Sequence, residues 1–230
     1  MEPKDLKELI KENPFIALND LVYEYILNQI VLWKIKPSER LKESKLAQEL
    51  GVSRSPVRNA LQKLLTTGLI YQDHSQNYFV TKMDPVDCMD LYTARKLIEG
   101  KAAFLATQHI TATELEKLKE TVFQIEIAMK NLDLIGAARW DEEFHQIIID
   151  ASGNQYIRDM YACLKSRLLR YKYYLHSLFV DEDTKKQDFM QILKRHRVIL
   201  KALQSQMSIV VQTEIEIDID NMINRLYLLL

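Results

Sequence analysis

Five polar side chains in the C-terminal part of this sequence stand where apolar ones are expected. Arg95 interrupts the helical line of Leu91, Ile98, Ala102 and Leu105, and Asp141 and His145 interrupt that of Leu134, Ala138 and Ile148. His196 is enclosed by Phe189, Ile192, Ile199 and Leu203, and Asp218 by Val211, Ile215, Met222 and Leu226. One polar group on an apolar face is commonly a satisfied core residue. Several on different helices point to a shared polar pocket, because a buried charge without a partner is too costly to keep. The types also combine. Asp141 and His145, four apart on a helix, present an oxygen and a nitrogen to one point, and His196 and Asp218 could complete a four-ligand shell around a divalent ion. The same spacing is equally compatible with a plain Asp–His salt bridge, and Arg95 with an intrahelical pair to Glu99.

A second constellation lies upstream. Residues 43–65, ESKLAQELGVSRSPVRNALQKLL, read as two short helices joined at Gly51. Leu46, Ala47 and Leu50 form the inner face of the first helix; Val57, Leu61 and Leu64 form that of the second. Ser53 is placed to cap the second helix, and Pro56 falls in its first turn, where a missing N–H does no harm. Arg54 and Arg58, four apart, share the opposite face. Two guanidiniums at the start of an exposed helix suit base reading, since bidentate arginine to guanine is the commonest specific contact. Charge supports this: from Ile30 to Gly68 eight basic residues face three acidic ones, whereas residues 83–230 carry a small acidic excess in a chain of net charge −1. A basic module beside a mildly acidic one suits a phosphate-contacting head on a body with another task.

The elements that must position these residues follow from the pattern. All five prolines lie in the first 85 residues, so the rest is free to be helical throughout. Helices are expected near 85–108, 111–130, 133–151, 154–178, 185–205 and 207–228. TEIEIDID at 213–220 alternates with a period of two, yet a lone strand among helices has no partner, so helix is retained there. Upstream of the two short helices, another is expected to turn Leu21, Tyr25 and Leu32 inward. After them, GLIYQDHSQNYFVT alternates on both sides of a polar turn, as a wing hairpin does, with Asn77 able to take positive φ at the bend. The linker is expected at Thr81–Asp84, before an Asp–Pro helix start. The resulting expectation is a mainly α chain: an extension at 1–14, a winged helix-turn-helix at 15–82 and an all-α bundle at 83–230. Cys88 and Cys163 lack metal spacing and read as free thiols. No apolar run reaches the roughly 20 residues that span a bilayer, and the charged start lacks a signal peptide's apolar stretch, which predicts a cytoplasmic protein without membrane partners.

The string PSERLKESKLAQELGVSRSPVRNALQKLLTTGLI resembles the winged helix-turn-helix of the GntR family of bacterial transcription regulators. The resemblance implies a double-stranded DNA operator as partner, contacted by Arg54 and Arg58 with Ser53 and Ser55 beside them, and by a wing near His74 and Ser75. Ser44 occupies a contact position that is basic in some relatives. Pro37-Ser38 and Asn77 stand where relatives often have Pro-Gly and a wing glycine. Further on, LYTARKLIEGKAAFLAT, WDEEFHQIIIDASGN and RHRVILKAL resemble the helical effector-binding domain of the FadR subfamily, in its six-helix VanR-like branch. Many members hold a divalent metal with one Asp and three His. Asp141, His145 and His196 match the first three positions, and Asp218 stands at the fourth in place of histidine, which leaves Zn, Ni or Mn as candidate ions. Arg95 matches a position facing the effector pocket, where a guanidinium can clasp a carboxylate. The resemblance therefore implies a homodimeric repressor or activator controlled by a small organic acid. The alternative is a metal-dependent enzyme with an accessory nucleic-acid-binding head, though GxSxG, HExxH and a phosphate-binding glycine loop are all absent from the sequence.

Overall fold

The computed structural model describes residues 5–178 and 182–229, apart from the side chains of 134, 175–189 and 225–230. Leu134, Phe189 and Leu226, each assigned above to an apolar line, thus lie outside the described side chains. The chain forms two compact units, one ending at Asp84 and the other beginning at Pro85.

The first unit runs α1 (Leu6–Glu12), α2 (Leu18–Val31), β1 (Arg40–Leu41), α3 (Glu43–Leu50), α4 (Arg54–Thr67), β2 (Ile70–Gln72) and β3 (Tyr78–Val80). Helix α1 falls within the residues expected to be an extension, and it is anchored through a buried Leu6. Leu21 is buried on α2 as expected, but Tyr25 and Leu32 are only half-buried. The inward stripe runs instead through Val22, Ile26 and Ile30, spaced by four, and Leu32 has already left the helix as its C-cap. Those three pack in the core shared with α4, whose Val57, Leu61 and Leu64 are fully buried. Gly51 ends α3 with φ 68°, a left-handed cap that costs glycine nothing because it has no Cβ. Ser53 holds the N-cap position of α4 in extended conformation, although its hydroxyl makes no capping bond.

The wing is antiparallel, and β3 lies between β1 and β2. At its bend the left-handed residue is Gln76, with φ 62°, rather than Asn77. Asn77 is occupied otherwise: its backbone and side-chain N–H groups donate to the Asp73 carboxylate, which also accepts from Ser75 N. Ser38, standing where relatives often have glycine, keeps the left-handed backbone at φ 65°.

The second unit is a bundle of α5 (Pro85–His109), α6 (Ala112–Lys130), α7 (Leu134–Ala151), α8 (Gln155–Leu178), α9 (Glu182–Gln204) and α10 (Ser208–Leu229). Central α5 touches α7, α8, α9 and α10. Its buried set, Tyr92, Arg95, Glu99, Ala102, Ala103 and Ala106, therefore wraps more than one face, and the expected Ile98 and Leu105 are only half-buried. Gly100 lets α10 come close, for a Cβ there would meet Glu216 Oε1 at 2.7 Å. Thr111 and Glu114 close a reciprocal capping box at the start of α6. The TEIEIDID stretch is helical. Val211, Ile215 and Ile219 are buried at steps of four, and Ile217, which completes the alternation, faces solvent. No described helix is long and apolar enough to cross a membrane.

Candidate DNA-reading face and metal centre

In the first unit, the turn at Gly51 brings the start of α4 beside the start of α3. Ser53, Arg54, Ser55 and Arg58 are all exposed. Arg54 and Ser44 line a cleft of about 420 Å³ with Arg40, Lys42, Gln76 and Asn77, so helix, strand and wing contribute to one basic concavity. Arg40 and Lys42 escaped the sequence reading as individual contacts, having been counted only towards the charge of the segment. Arg40 reaches the Asn77 side chain, tying β1 to the wing. His74 and Ser75 sit exposed at the hairpin bend. Arg58 is held by Glu43, with Nε 3.1 and 3.2 Å from the two carboxylate oxygens and Nη2 3.0 Å from Oε2.

In the second unit, Asp141 and His145 on α7, His196 on α9 and Asp218 on α10 converge, and one ligand atom from each lies within 4.8 Å of all the others. His196 Nε2 is 3.3 Å from Asp141 Oδ1, and His145 Nε2 is 3.5 Å from Asp218 Oδ2 and 3.9 Å from Asp141 Oδ1. Both imidazoles are fully buried, and none of their ring nitrogens makes a directed hydrogen bond. His145 Nδ1 lies 2.6 Å from Glu99 Oε2, close enough for charge attraction but out of line for an N–H···O bond. Such orphaned nitrogens are rare in a folded interior. Two of them aimed at two carboxylate oxygens form a donor set that fits a divalent cation. Phe144 stacks on His196 with centroids 4.2 Å apart and fixes the plane of that ring.

Charges around this centre are nearly balanced. Lys172 on α8, fully buried, places Nζ 2.7 Å from Asp141 Oδ2 and 2.9 Å from Glu142 Oε2, and Tyr161 donates to Glu142 Oε1 at 2.7 Å. Arg95 Nε lies 2.5 Å from Glu99 Oε1, so the intrahelical pair is formed. Burial by itself would raise the Asp141 carboxyl, but Lys172, His145 and His196 outweigh it and hold the group well below the usual carboxylate range. The two histidines diverge. Burial pushes both down; at His145 the attraction of Glu99 and Asp218 wins and lifts it to about 9, whereas at His196 burial, with the nearby His145 and Lys172, outweighs Asp141 and Asp218 and keeps it below its ordinary value. Without a cation the cluster thus recruits a proton, as expected for convergent carboxylates.

A void of about 30 Å³ adjoins these side chains, bounded by Arg95, Asp141, Arg195, Asp218 and Met222. It has room for roughly one water or ion, so an organic acid would have to displace part of the wall. Arg95 does border it, but its guanidinium is already committed to Glu99 and lies over the Tyr92 ring. Arg195, paired with Glu214 and 3.8 Å from Asp218, is the less buried cation at the void. Sequence reading missed Arg195, Lys172, Glu142 and Tyr161. The local signal for Lys172 is a charge set among the apolar and aromatic residues of LLRYKYYL on α8.

Comparison with known proteins adds the following. The family model "Bacterial regulatory proteins, gntR family" matches residues 18–80, and that of the FCD domain matches residues 90–211. The chain is 29% identical over 139 residues to the HTH-type transcriptional regulator YdhC of Bacillus subtilis, covering 60% of this chain and 62% of that protein. It is 30% identical over 125 residues to the Nta operon transcriptional regulator of Aminobacter aminovorans, covering 54% and 59%. To the HTH-type transcriptional repressor RspR of Escherichia coli it is 29% identical over 161 residues, covering 70% and 71%. The match thus spans about three fifths of the first two relatives' own length. Among solved structures, Escherichia coli McbR/YncC shares the fold with a TM-score of 0.80 at 21% identity, covering 93% of this chain and 99% of that one.

Proposed function

Because the chain belongs to the GntR family of bacterial regulatory proteins and carries an FCD domain as its helical unit, we propose that it is a DNA-binding transcription regulator. In this reading its operator affinity is set by a small carboxylate-bearing metabolite bound at a divalent metal. The observation that carries the sensor half is the convergence of Asp141, His145, His196 and Asp218 with orphaned imidazole nitrogens. Those four residues would hold Zn, Ni or Mn, the two carboxylates favouring the harder end of that range. When bound, the ion supplies a Lewis-acidic point for an effector oxygen. Arg95 and Arg195 add positive charge at the same void, and Lys172 restrains the second oxygen of Asp141. In the head, Arg54 and Arg58 read bases, Ser44, Ser53 and Ser55 flank them, and His74 and Ser75 form the wing tip. A head of this size offers few base contacts, so a homodimer on a two-fold operator is part of the proposal. Against a metal-dependent enzyme stands the naming of all three relatives above as transcriptional regulators.

The test has two arms. Selection from a random duplex library should enrich a two-fold motif, and mass spectrometry of the purified chain after denaturation should release one divalent ion per chain and a small acid. Failure to enrich any motif would overturn the head's role. Release of neither ion nor acid, together with no uptake of Zn, Ni or Mn, would overturn the sensor's.

A further inference from the structure

We propose that Glu43 is a specificity-determining positioning residue, whose carboxylate grips the side edge of Arg58 and leaves the end-on edge of that guanidinium to read a guanine. The inference rests on the DNA-reading role proposed above. Arg58 donates from Nε to both oxygens of Glu43 and from Nη2 to one of them, which consumes Nε–H and the Nη2–H parallel to it. What remains is the outer pair of N–H groups on Nη1 and Nη2, a parallel fork matched to O6 and N7 of guanine in the major groove. Glu43 is well placed to hold the group. It is the first residue of α3, only 23% exposed at its side chain, whereas Arg58 on α4 is 57% exposed.

An arginine without such a clamp has a long, freely rotating stem and meets phosphate or base alike. The clamp fixes the guanidinium plane before DNA arrives. It also has a cost, since Glu43 puts a negative charge among Arg40, Lys42 and Arg54 in the cleft, where every phosphate contact is weakened by it. A residue that lowers general affinity while sharpening one contact is a device for discrimination. The two effects have opposite signs in one substitution, and this separates positioning from a merely structural link between α3 and α4.

The experiment uses the full chain as wild type, Glu43→Gln and Arg58→Lys, each put through duplex selection and titrated with an alternating A·T duplex that contains no guanine. Wild type should enrich a guanine that Arg58→Lys no longer selects. Glu43→Gln should weaken preference for that guanine about fivefold or more while binding the A·T duplex as tightly as wild type or tighter. The inference is overturned if Glu43→Gln keeps the wild-type guanine preference while Arg58→Lys loses it. It is equally overturned if Glu43→Gln weakens both duplexes together with a lowered melting temperature. A wild-type chain that enriches no motif sinks the DNA-reading role itself, and the Glu43 inference with it.

Discussion

The two units carry their charges in opposite ways. In the head, Arg54 and Arg58 stand in solvent above a core of Val57, Leu61 and Leu64 that does not depend on them. In the bundle, Arg95, Glu99, Glu142, His145, Lys172, His196 and Asp218 are all buried, and each has an ionisable atom within 3.5 Å of another of the set or of Asp141. The lesson is that function and stability are separable in the first unit and joined in the second. An exposed cation can be removed without disturbing what lies beneath it. A buried one leaves its partners as uncompensated charges in a low-dielectric interior.

The sharpest way to break this comparison is Lys172→Ala. It strips the cation from Asp141 and Glu142, and breaking a buried pair typically costs about 3–5 kcal/mol. Chemical denaturation should register that loss in the bundle, with partial recovery when Zn is added, since a divalent ion would neutralise Asp141 in its place. A loss no greater than that of a surface substitution would mean that Lys172 is not the buried counter-charge of Asp141 and Glu142.

Next in size is His196→Ala, which should weaken divalent-metal affinity about a hundredfold or more, because even outer-shell partners of a ligand are commonly worth 10–100-fold. Duplex binding by the head should survive. The competition between proton and metal gives a pH signature. Metal ligation needs a neutral imidazole, and His145 is raised to about 9 in the metal-free cluster. Lowering the pH should therefore weaken metal uptake and release the ion, as titration of the loaded chain at several pH values can check.

A smaller effect is expected in the head. Arg54→Ala and Arg58→Ala should each weaken operator binding about tenfold and relax base preference, with the melting temperature nearly unchanged. Wild-type selectivity in either variant would mean that α4 is not the reading helix. The smallest effect concerns Ser38, where a left-handed backbone is held by a residue with a Cβ. Ser38→Gly should stabilise the head by about 0.5–1 kcal/mol, the left-handed strain outweighing the extra freedom of glycine in the unfolded chain.

Legibility in the sequence followed the same division. The α3–turn–α4 unit was expected within residues 43–65 and ends at Thr67, two residues later; Gly51, Pro56 and the apolar steps of three and four report local geometry. The bundle's helices were also legible, proline-free and periodic as they are. Errors arose where tertiary packing chooses among local options. Tyr25 was assigned inward when Val22, Ile26 and Ile30 form the stripe, and Gln76 rather than Asn77 takes the left-handed bend because Asp73 captures Asn77. Asp141, His145, His196 and Asp218 were recoverable because each interrupts an apolar line. Their supporting cations were harder to single out, since Arg195 sits in the charged KRHR run of α9 and Lys172 lies two residues from Arg170 among the tyrosines of α8.

The central claim is that the buried Asp/His cluster is a cation site rather than a self-contained salt-bridge network. Calorimetric titration of the metal-stripped full chain with Zn, Ni and Mn tests it most directly. The account predicts uptake of one ion per chain for at least one of the three, weakened about a hundredfold or more in His145→Ala and His196→Ala. Absence of heat and of bound ion for all three metals in a folded wild-type chain would contradict it.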